Sequence, residues 1–516
     1  MANIAGIDLG TTFSSLAILN AIGKPEIVAN ADGERLTPSA IYFDEESSHT
    51  IRVGIEALNS RYVNAERSVR WIKRHMGDSS YRKNVDGKDW TPEELSSLIL
   101  KKLKQDASGE HGEIRDAVVS VPAHFDEIRR KATMDAGTMA GLNVIGIVNE
   151  PVAAALYYAT TREVCGKVLV YDLGGGTFDV TIMDVKGHQM DIICSQGDHA
   201  LGGIDFDIKV LEILEKSYRD KFGGELINSN EDRAKYEDEA EDIKKTLSRR
   251  QAAKKLLYGP AGNLKVEITR EMLEEAISSL IARTDILIEV ALEEARLKPS
   301  DINKVLLVGG STRIPLVQRN LEKMFGFPPE NTVNVDECVA LGAALHAGLT
   351  MLREKPEEVP PGISSGLRDV QLTDVCNHSY GTICAPIDKE TGRRVVENRI
   401  ILKKNTPLPC ESTQMFYTMS EGQTEVEVNI TQGEDTDVKY VNRIAKHRFK
   451  LPPGRAANCP IKVTYSYDMN QRMHCKFEDL ESGRVLEVDF CLDDKGQMSQ
   501  SDIKQKTEEM ESVKVE

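Results

Sequence analysis

Two aspartate-led glycine turns carry the residue types best suited to chemistry: Ile7-Asp8-Leu9-Gly10-Thr11-Thr12 and Tyr171-Asp172-Leu173-Gly174-Gly175-Gly176-Thr177. Glycines let backbone N–H groups approach an anion with no Cβ in the way, and the threonine hydroxyls add donors. Paired aspartates repel phosphate unless a divalent cation sits between them, so the pattern predicts a metal-bound nucleotide. Each turn is flanked by short apolar runs, Leu16-Ala17-Ile18-Leu19 after the first and Val180-Thr181-Ile182-Met183 after the second. The unit reads as strand, turn, strand, written twice, and two such half-sites facing each other could clamp one triphosphate. No Gly-x-x-x-x-Gly-Lys-Ser/Thr loop occurs, so the twin turns must hold the phosphates. Hydrolysis further requires a cation on the developing γ-phosphate charge and a carboxylate to orient water. Lys73, in Trp71-Ile72-Lys73-Arg74, and Glu150, in Asn149-Glu150-Pro151, are candidates that the residues alone do not bring to the cleft.

The elements that must position these groups alternate between β-type runs and helical stretches from residue 1 to about 350, the pattern of an α/β architecture. Thr91-Pro92-Glu93-Glu94 predicts a capped helix start. A long charged helix is expected over 231–257, and a third glycine turn, Val308-Gly309-Gly310-Ser311-Thr312-Arg313, again follows a strand. A charged, proline-rich stretch, Lys355-Pro356-Glu357-Glu358-Val359-Pro360-Pro361-Gly362, reads as a flexible linker within 351–374. Alternating runs such as Thr424-Glu425-Val426-Glu427-Val428-Asn429-Ile430 then predict an all-β sandwich over 375–492, and 493–516 reads as a polar tail with a helix at best and frayed ends. With 65 Lys and Arg against 82 Asp and Glu, the net charge of −17 argues against a nucleic-acid binder. Nine cysteines without Cys-x-x-Cys spacing suggest reduced thiols, and no apolar run approaches a membrane span. A first strand directly after Met1 leaves no room for a signal peptide, so a cytoplasmic protein is expected.

Ile7 to Thr12, Val121-Pro122-Ala123, Asn149-Glu150-Pro151, Val170 to Val180, Leu201-Gly202-Gly203 and Leu307 to Pro315 occur in the order of one family. The chain resembles the seventy-kilodalton heat-shock proteins, the DnaK-type chaperones, strongly over 2–350 and more loosely over 370–490. The resemblance implies an actin-like ATPase domain of two lobes (1–350) joined by a linker to a β-sandwich that grips unfolded, extended hydrophobic segments. By position, Asp8 and Asp172 would hold Mg²⁺ through water while Gly10, Thr11, Thr12, Gly174, Gly175 and Gly176 line ATP or ADP phosphates. Lys73, Glu150, Asp172, Thr177 and Asp179 match catalytic and cation-binding positions, with K⁺ as a second ion. Glu241, Lys244, Lys245 and Ser248 would cradle the adenosine with Gly309, Gly310, Ser311 and Arg313, Asp336 would close the pocket, and Gly202 and Gly203 count among the nucleotide-binding positions. Pro122 and Arg130 match a relay between nucleotide and peptide domains, and Ala385, Phe416, Met419, Val426 and Val428 match the peptide groove and its arch.

Four departures qualify the expectation. The linker run Val370-Gln371-Leu372-Thr373-Asp374 keeps the family's aspartate but loses two leucines, each worth roughly 1.5–3 kcal/mol if buried, which predicts weaker docking. Cys376 to Gly381 replaces a proline-leucine pattern. Gly146 stands where the family carries an arginine used by J-domain cochaperones, which puts such a partner in doubt and leaves a nucleotide exchange factor as the other expected helper. The family's helical lid is expected to be absent. Rival readings are a sugar or metabolite kinase on the same twin-turn fold, a filament-forming actin relative, and a lidless ATP-binding module dedicated to one partner.

Overall fold

The computed structural model describes residues 3–45, 50–162, 165–330, 334–387, 390–489 and 500–516. Residues 493–499 of the expected tail lie outside them.

Two mixed sheets repeat one plan. In the first, strand Asn3–Asp8 pairs antiparallel with Phe13–Leu19 across the first glycine turn and parallel with Ile114–Val121, which in turn pairs with Asn143–Asn149. In the second, Cys165–Leu173 pairs antiparallel with Phe178–Lys186 across the second turn and parallel with Lys304–Val308. The central strands are buried and largely apolar, as strands covered on both faces must be. Helices Glu150–Thr161 and Cys338–Glu354 cross between the sheets, so close that a Cβ on Gly342 would lie 1.7 Å from the Ala153 carbonyl oxygen. Their small faces, Ala153, Ala154, Ala340, Ala343 and Ala344, join a core shared by both lobes.

Helix Pro92–His111 begins as read, with Thr91 accepting from the Glu94 N–H and the Glu94 carboxylate accepting from the Thr91 N–H. The charged helix is shorter than expected. It runs Asn230–Arg249, and Ala252–Gly259 is instead a strand paired with Gly262–Thr269. Ladder bonds available only from the following hairpin override the helical propensity of Lys254, Lys255, Leu256 and Leu257.

The segment expected as a flexible linker is ordered. Helix Pro361–Leu367 buries Ile363 and Leu367, and Gln371–Thr373 adds a fifth strand, parallel to Gln189–Asp198. Two four-stranded sheets follow. One orders Glu397–Leu402, Tyr380–Cys384, Glu425–Gln432 and Asn442–Lys450; the other Cys410–Tyr417, Pro460–Tyr467, Met473–Asp479 and Val485–Asp489. Alternation such as Ile461, Val463, Tyr465 and Tyr467 facing inward fills the core between them. The last segment forms the helix that the tail allowed at best, and goes beyond it. Helix Gln500–Ser512 and strand Lys514–Val515 fold back onto the first lobe, where Met510 and Val515 are buried.

Candidate functional site

The two glycine turns meet face to face. A Cβ on Gly175 would lie 2.7 Å from the Thr12 side chain, and one on Gly176 would lie 2.6 Å from that of Thr11, so only glycine permits the approach. On the first turn, a Cβ at Gly10 would lie 1.9 Å from the Phe13 carbonyl oxygen. The second turn is braced from behind: the Gly203 and Ile204 N–H groups donate to the Gly174 and Gly175 carbonyls at 3.0 and 2.9 Å, and Ser311 Oγ donates to Gly174 O at 2.9 Å. Between the turns opens a cleft of about 770 Å³, enough for a nucleoside triphosphate.

At the cleft floor sit Asp8, Glu150 and Asp172 around one buried ammonium, Lys73, whose Nζ donates to the Glu150 carboxylate. Burial drags the Lys73 pKa down, but the facing Glu150 and Asp8 carboxylates outweigh it and hold the group protonated. The acids are short of positive charge. Burial, then the neighbouring Glu150, pushes Asp8 up to about 7; Asp172 rises well above the carboxylate range for the same reasons. Asp179, raised to about 8 by burial and Glu150, stands just behind the lining and accepts the His124 N–H at 3.1 Å. Such a set fits a cation. Among the described residues no three His, Cys, Asp or Glu side chains converge to ligate a metal directly.

The structure brings nearly all the sequence-derived cleft residues together. Asp8, Gly10, Thr11, Thr12, Lys73, Glu150, Asp172, Gly174, Gly175 and Thr177 line the floor and walls. Glu241, Lys244, Lys245, Ser248, Gly203, Gly309, Gly310, Ser311, Arg313 and Asp336 line the outer half. Gly176, Gly202 and Asp179 do not line it. Gly202 packs against the Gly176 N–H and supports the turn instead. Gly309, at φ +81°, sits with its would-be Cβ 2.4 Å from Leu173 O and locks the third turn against the second. Lys245 pairs with Glu241 at 2.7 Å and Arg313 with Asp336 at 2.6 Å, flanking the mouth. Sequence reasoning missed Asp207, which holds Lys244 at 2.8 Å, and Arg70, which bridges the lobes to Asp238 at 3.1 Å. A carboxylate 37 residues from its lysine carries no local signal; only the packing of two helices joins them.

The proposed relay lies where the sandwich meets the first lobe. Arg130, 1% exposed, donates to Phe125 O at 3.0 Å, Ala123 O at 3.2 Å and Asn149 Oδ1 at 2.7 Å, and also to Gln471 of the sandwich. Gln471 in turn donates to the Asp374 carboxylate. Glu127, also buried, accepts from Tyr380 and Tyr467 at 2.5 and 2.6 Å. Although its leucines are lost, the linker run pairs as a strand, the Gln371 N–H reaching His188 O at 2.9 Å, because ladder bonds do not depend on side-chain identity. Beside Gly146 the sandwich turn 468–472 seats directly, with Arg472 donating to the Val144 and Ile145 carbonyls at 3.3 Å.

In the sandwich, Arg394 ties Ala385 to Met419, the two residues expected at the arch, by donating to the carbonyl oxygen of each at 3.2 Å. Met419 is exposed, Phe416 and Val426 are half-buried against the sandwich core, and Val428 is buried within it.

A family model described as Hsp70 protein matches residues 4–516. The Chaperone protein DnaK of Thermotoga neapolitana is 37% identical over 520 residues, spanning 98% of this chain and 83% of that protein. Proteins of the same name from Thermotoga petrophila and Thermotoga maritima match with the same identity and coverage.

Proposed function

The chain belongs to the Hsp70 family, ATP-dependent chaperones with ATPase activity, and from that premise we propose how its own residues do the work. The face-to-face glycine turns over the buried Lys73–Glu150 pair are the observation that carries the reading. ATP enters the cleft with its phosphates against Gly10, Thr11, Thr12, Gly174 and Gly175, and its adenosine between Glu241, Lys244, Lys245 and Ser248 on one side and Gly309, Gly310, Ser311 and Arg313 on the other. Mg²⁺, when bound, would neutralise phosphate charge, and Asp8 and Asp172 are the residues that would hold it. The raised carboxylate pKa values support that assignment, and Asp179 offers a place for K⁺. Lys73 then faces the developing γ-phosphate charge, Glu150 accepts hydrogen bonds from the attacking water, and the Thr177 hydroxyl positions it. A fixed donor of this kind contributes roughly 10²–10³ in rate.

Bound nucleotide reaches the sandwich through Asn149, Arg130 and Gln471, and the sandwich holds unfolded hydrophobic segments under the arch that Arg394 closes. Cochaperone and exchange-factor contacts are expected for a family member; the sandwich turn seated beside Gly146 supports a J-domain partner that binds differently or not at all. The absence of any helix long and apolar enough to cross a membrane, among the described residues, is compatible with work in the cytoplasm. Titration calorimetry with ATP and Mg²⁺ tests the cleft assignment. Asp8→Asn and Asp172→Asn should each abolish the Mg²⁺-dependent part of nucleotide affinity, and unchanged Mg²⁺ dependence in both would refute it.

A further inference from the structure

We infer that the outer edge of strand Thr50–Val53 is a strand-addition site on the ATPase lobe, and that its occupant is this chain's own segment 500–516. Thr50–Val53 closes a small sheet with Ala40–Phe43 and Ser68–Arg70, and its far side would otherwise present unpaired backbone groups to solvent. Strand Lys514–Val515 covers that side in parallel register, Lys514 opposite Thr50 and Val515 opposite Ile51. The Glu516 N–H donates to Ile51 O at 3.0 Å and the Val53 N–H donates to Glu516 O at 2.8 Å.

Three further contacts make the seat specific. Met510 and Val515 are buried in the lobe's own apolar core, with Ile503 and Val513 packed against it. Lys101 of helix Pro92–His111 caps the C-terminal end of helix Gln500–Ser512, its Nζ donating to Met510 O and Val513 O at 2.7 Å and to Glu511 O at 3.2 Å; a cation there also complements the helix dipole. Lys506 meets the fully buried Glu94 carboxylate at 2.9 Å. The site thus takes an amphipathic helix ending in a short strand, with apolar side chains at the places of Met510 and Val515 and a cation at that of Lys506.

Seating this segment ties the end of the sandwich back to the lobe that binds nucleotide. The eleven residue steps from Asp489 to Gln500 can span no more than about 40 Å, so an undocked sandwich would stay within that reach of the lobe.

Hydrogen exchange on the full chain tests the inference, using the Val53 amide as reporter and the Met510→Asp, Val515→Asp double variant, neither residue lying in the cleft. The variant should exchange that amide at least about tenfold faster than wild type, and a synthetic peptide of residues 500–516 added in excess should restore protection. Retained ATP affinity in the variant shows that the lobe is folded. Equal exchange in variant and wild type, or a peptide that protects nothing, overturns the inference. Wild-type protection that disappears on dilution together with a dimeric mass overturns the assignment to the chain's own segment, making a second copy the donor.

Discussion

Replacing Gln471 with alanine should loosen the sandwich from the first lobe. Gln471 is 4% exposed and held in a tight turn at φ 59°, where it accepts from the Arg130 guanidinium and donates to the Asp374 carboxylate. Alanine removes both bonds at once. Arg130 keeps three other acceptors, but Asp374 is left with the Asn149 amide at 3.4 Å and its own segment's backbone as partners. A hydrogen bond to a charged group is worth about 1.5–3 kcal/mol, and losing two inside a buried interface would cost about 3–6 kcal/mol if no water entered. A water molecule in the vacated space recovers part of this, so about 3 kcal/mol is the expected loss, roughly a hundredfold in the docked-to-undocked ratio. Two amides serve as reporters: Glu127 N–H, which donates to Gln432 of the sandwich at 3.3 Å and reports docking directly, and Gln371 N–H, which pairs with His188 and reports seating of the linker strand that leads into the sandwich. Both should exchange about a hundredfold faster in Gln471→Ala and unchanged in Gln423→Ala, a glutamine whose bonds stay within the sandwich loop. Exchange at both amides within threefold of wild type would show that this network does not hold the sandwich in place, and the proposed relay would fall with it.

Lys73→Met should lower the single-turnover hydrolysis rate by roughly 10²–10³ while ATP affinity changes less than tenfold, read by rapid quench and calorimetry; equal losses in both would mean Lys73 serves binding rather than the transition state. Gly342→Ala drives a methyl to 1.7 Å from Ala153 O at the helix crossing and should cost about 3 kcal/mol, whereas Gly109→Ala, with open space around it, should gain about 0.5–1 kcal/mol; urea titrations monitored by circular dichroism compare them. Acid should weaken the interface through its histidines. Burial holds His378 well below its ordinary 6.5 and His124 at about 4, so the native state takes up fewer protons than the unfolded one and stability falls as pH drops from about 6.5 toward 4. Asp374, raised by burial to about 6, and Glu127, raised likewise, act in the opposite sense below about 6. His378→Gln should therefore lose less stability than wild type between pH 7 and pH 5 in thermal melts, and parallel pH profiles would contradict this.

What the sequence reveals follows from how local each constraint is. The twin turns are legible because a close approach of backbones admits only glycine, and the strands either side are short apolar runs that pair across the turn itself. The Thr91 cap is legible for the same reason: both of its bonds span three residues. Lys73 and Glu150 are 77 residues apart and look like surface residues until two elements bury them together, so only resemblance pointed to them. Asp207 escaped because its lysine lies on another helix. The misread end of the charged helix and the misread tail share one cause. Residues 252–259 become a strand because a hairpin partner follows, and 514–515 become one because an unpaired edge more than 450 residues earlier receives them. Pairing partners of that kind leave no periodicity in the segment itself.

The central claim, that ATP hydrolysis in the twin-turn cleft is coupled to the sandwich, is tested most directly by single-turnover ATP hydrolysis on the intact chain, with and without an extended leucine-rich peptide. The account predicts slow hydrolysis that the peptide accelerates, with the acceleration lost in Gln471→Ala. Hydrolysis that ignores the peptide in wild type would contradict it.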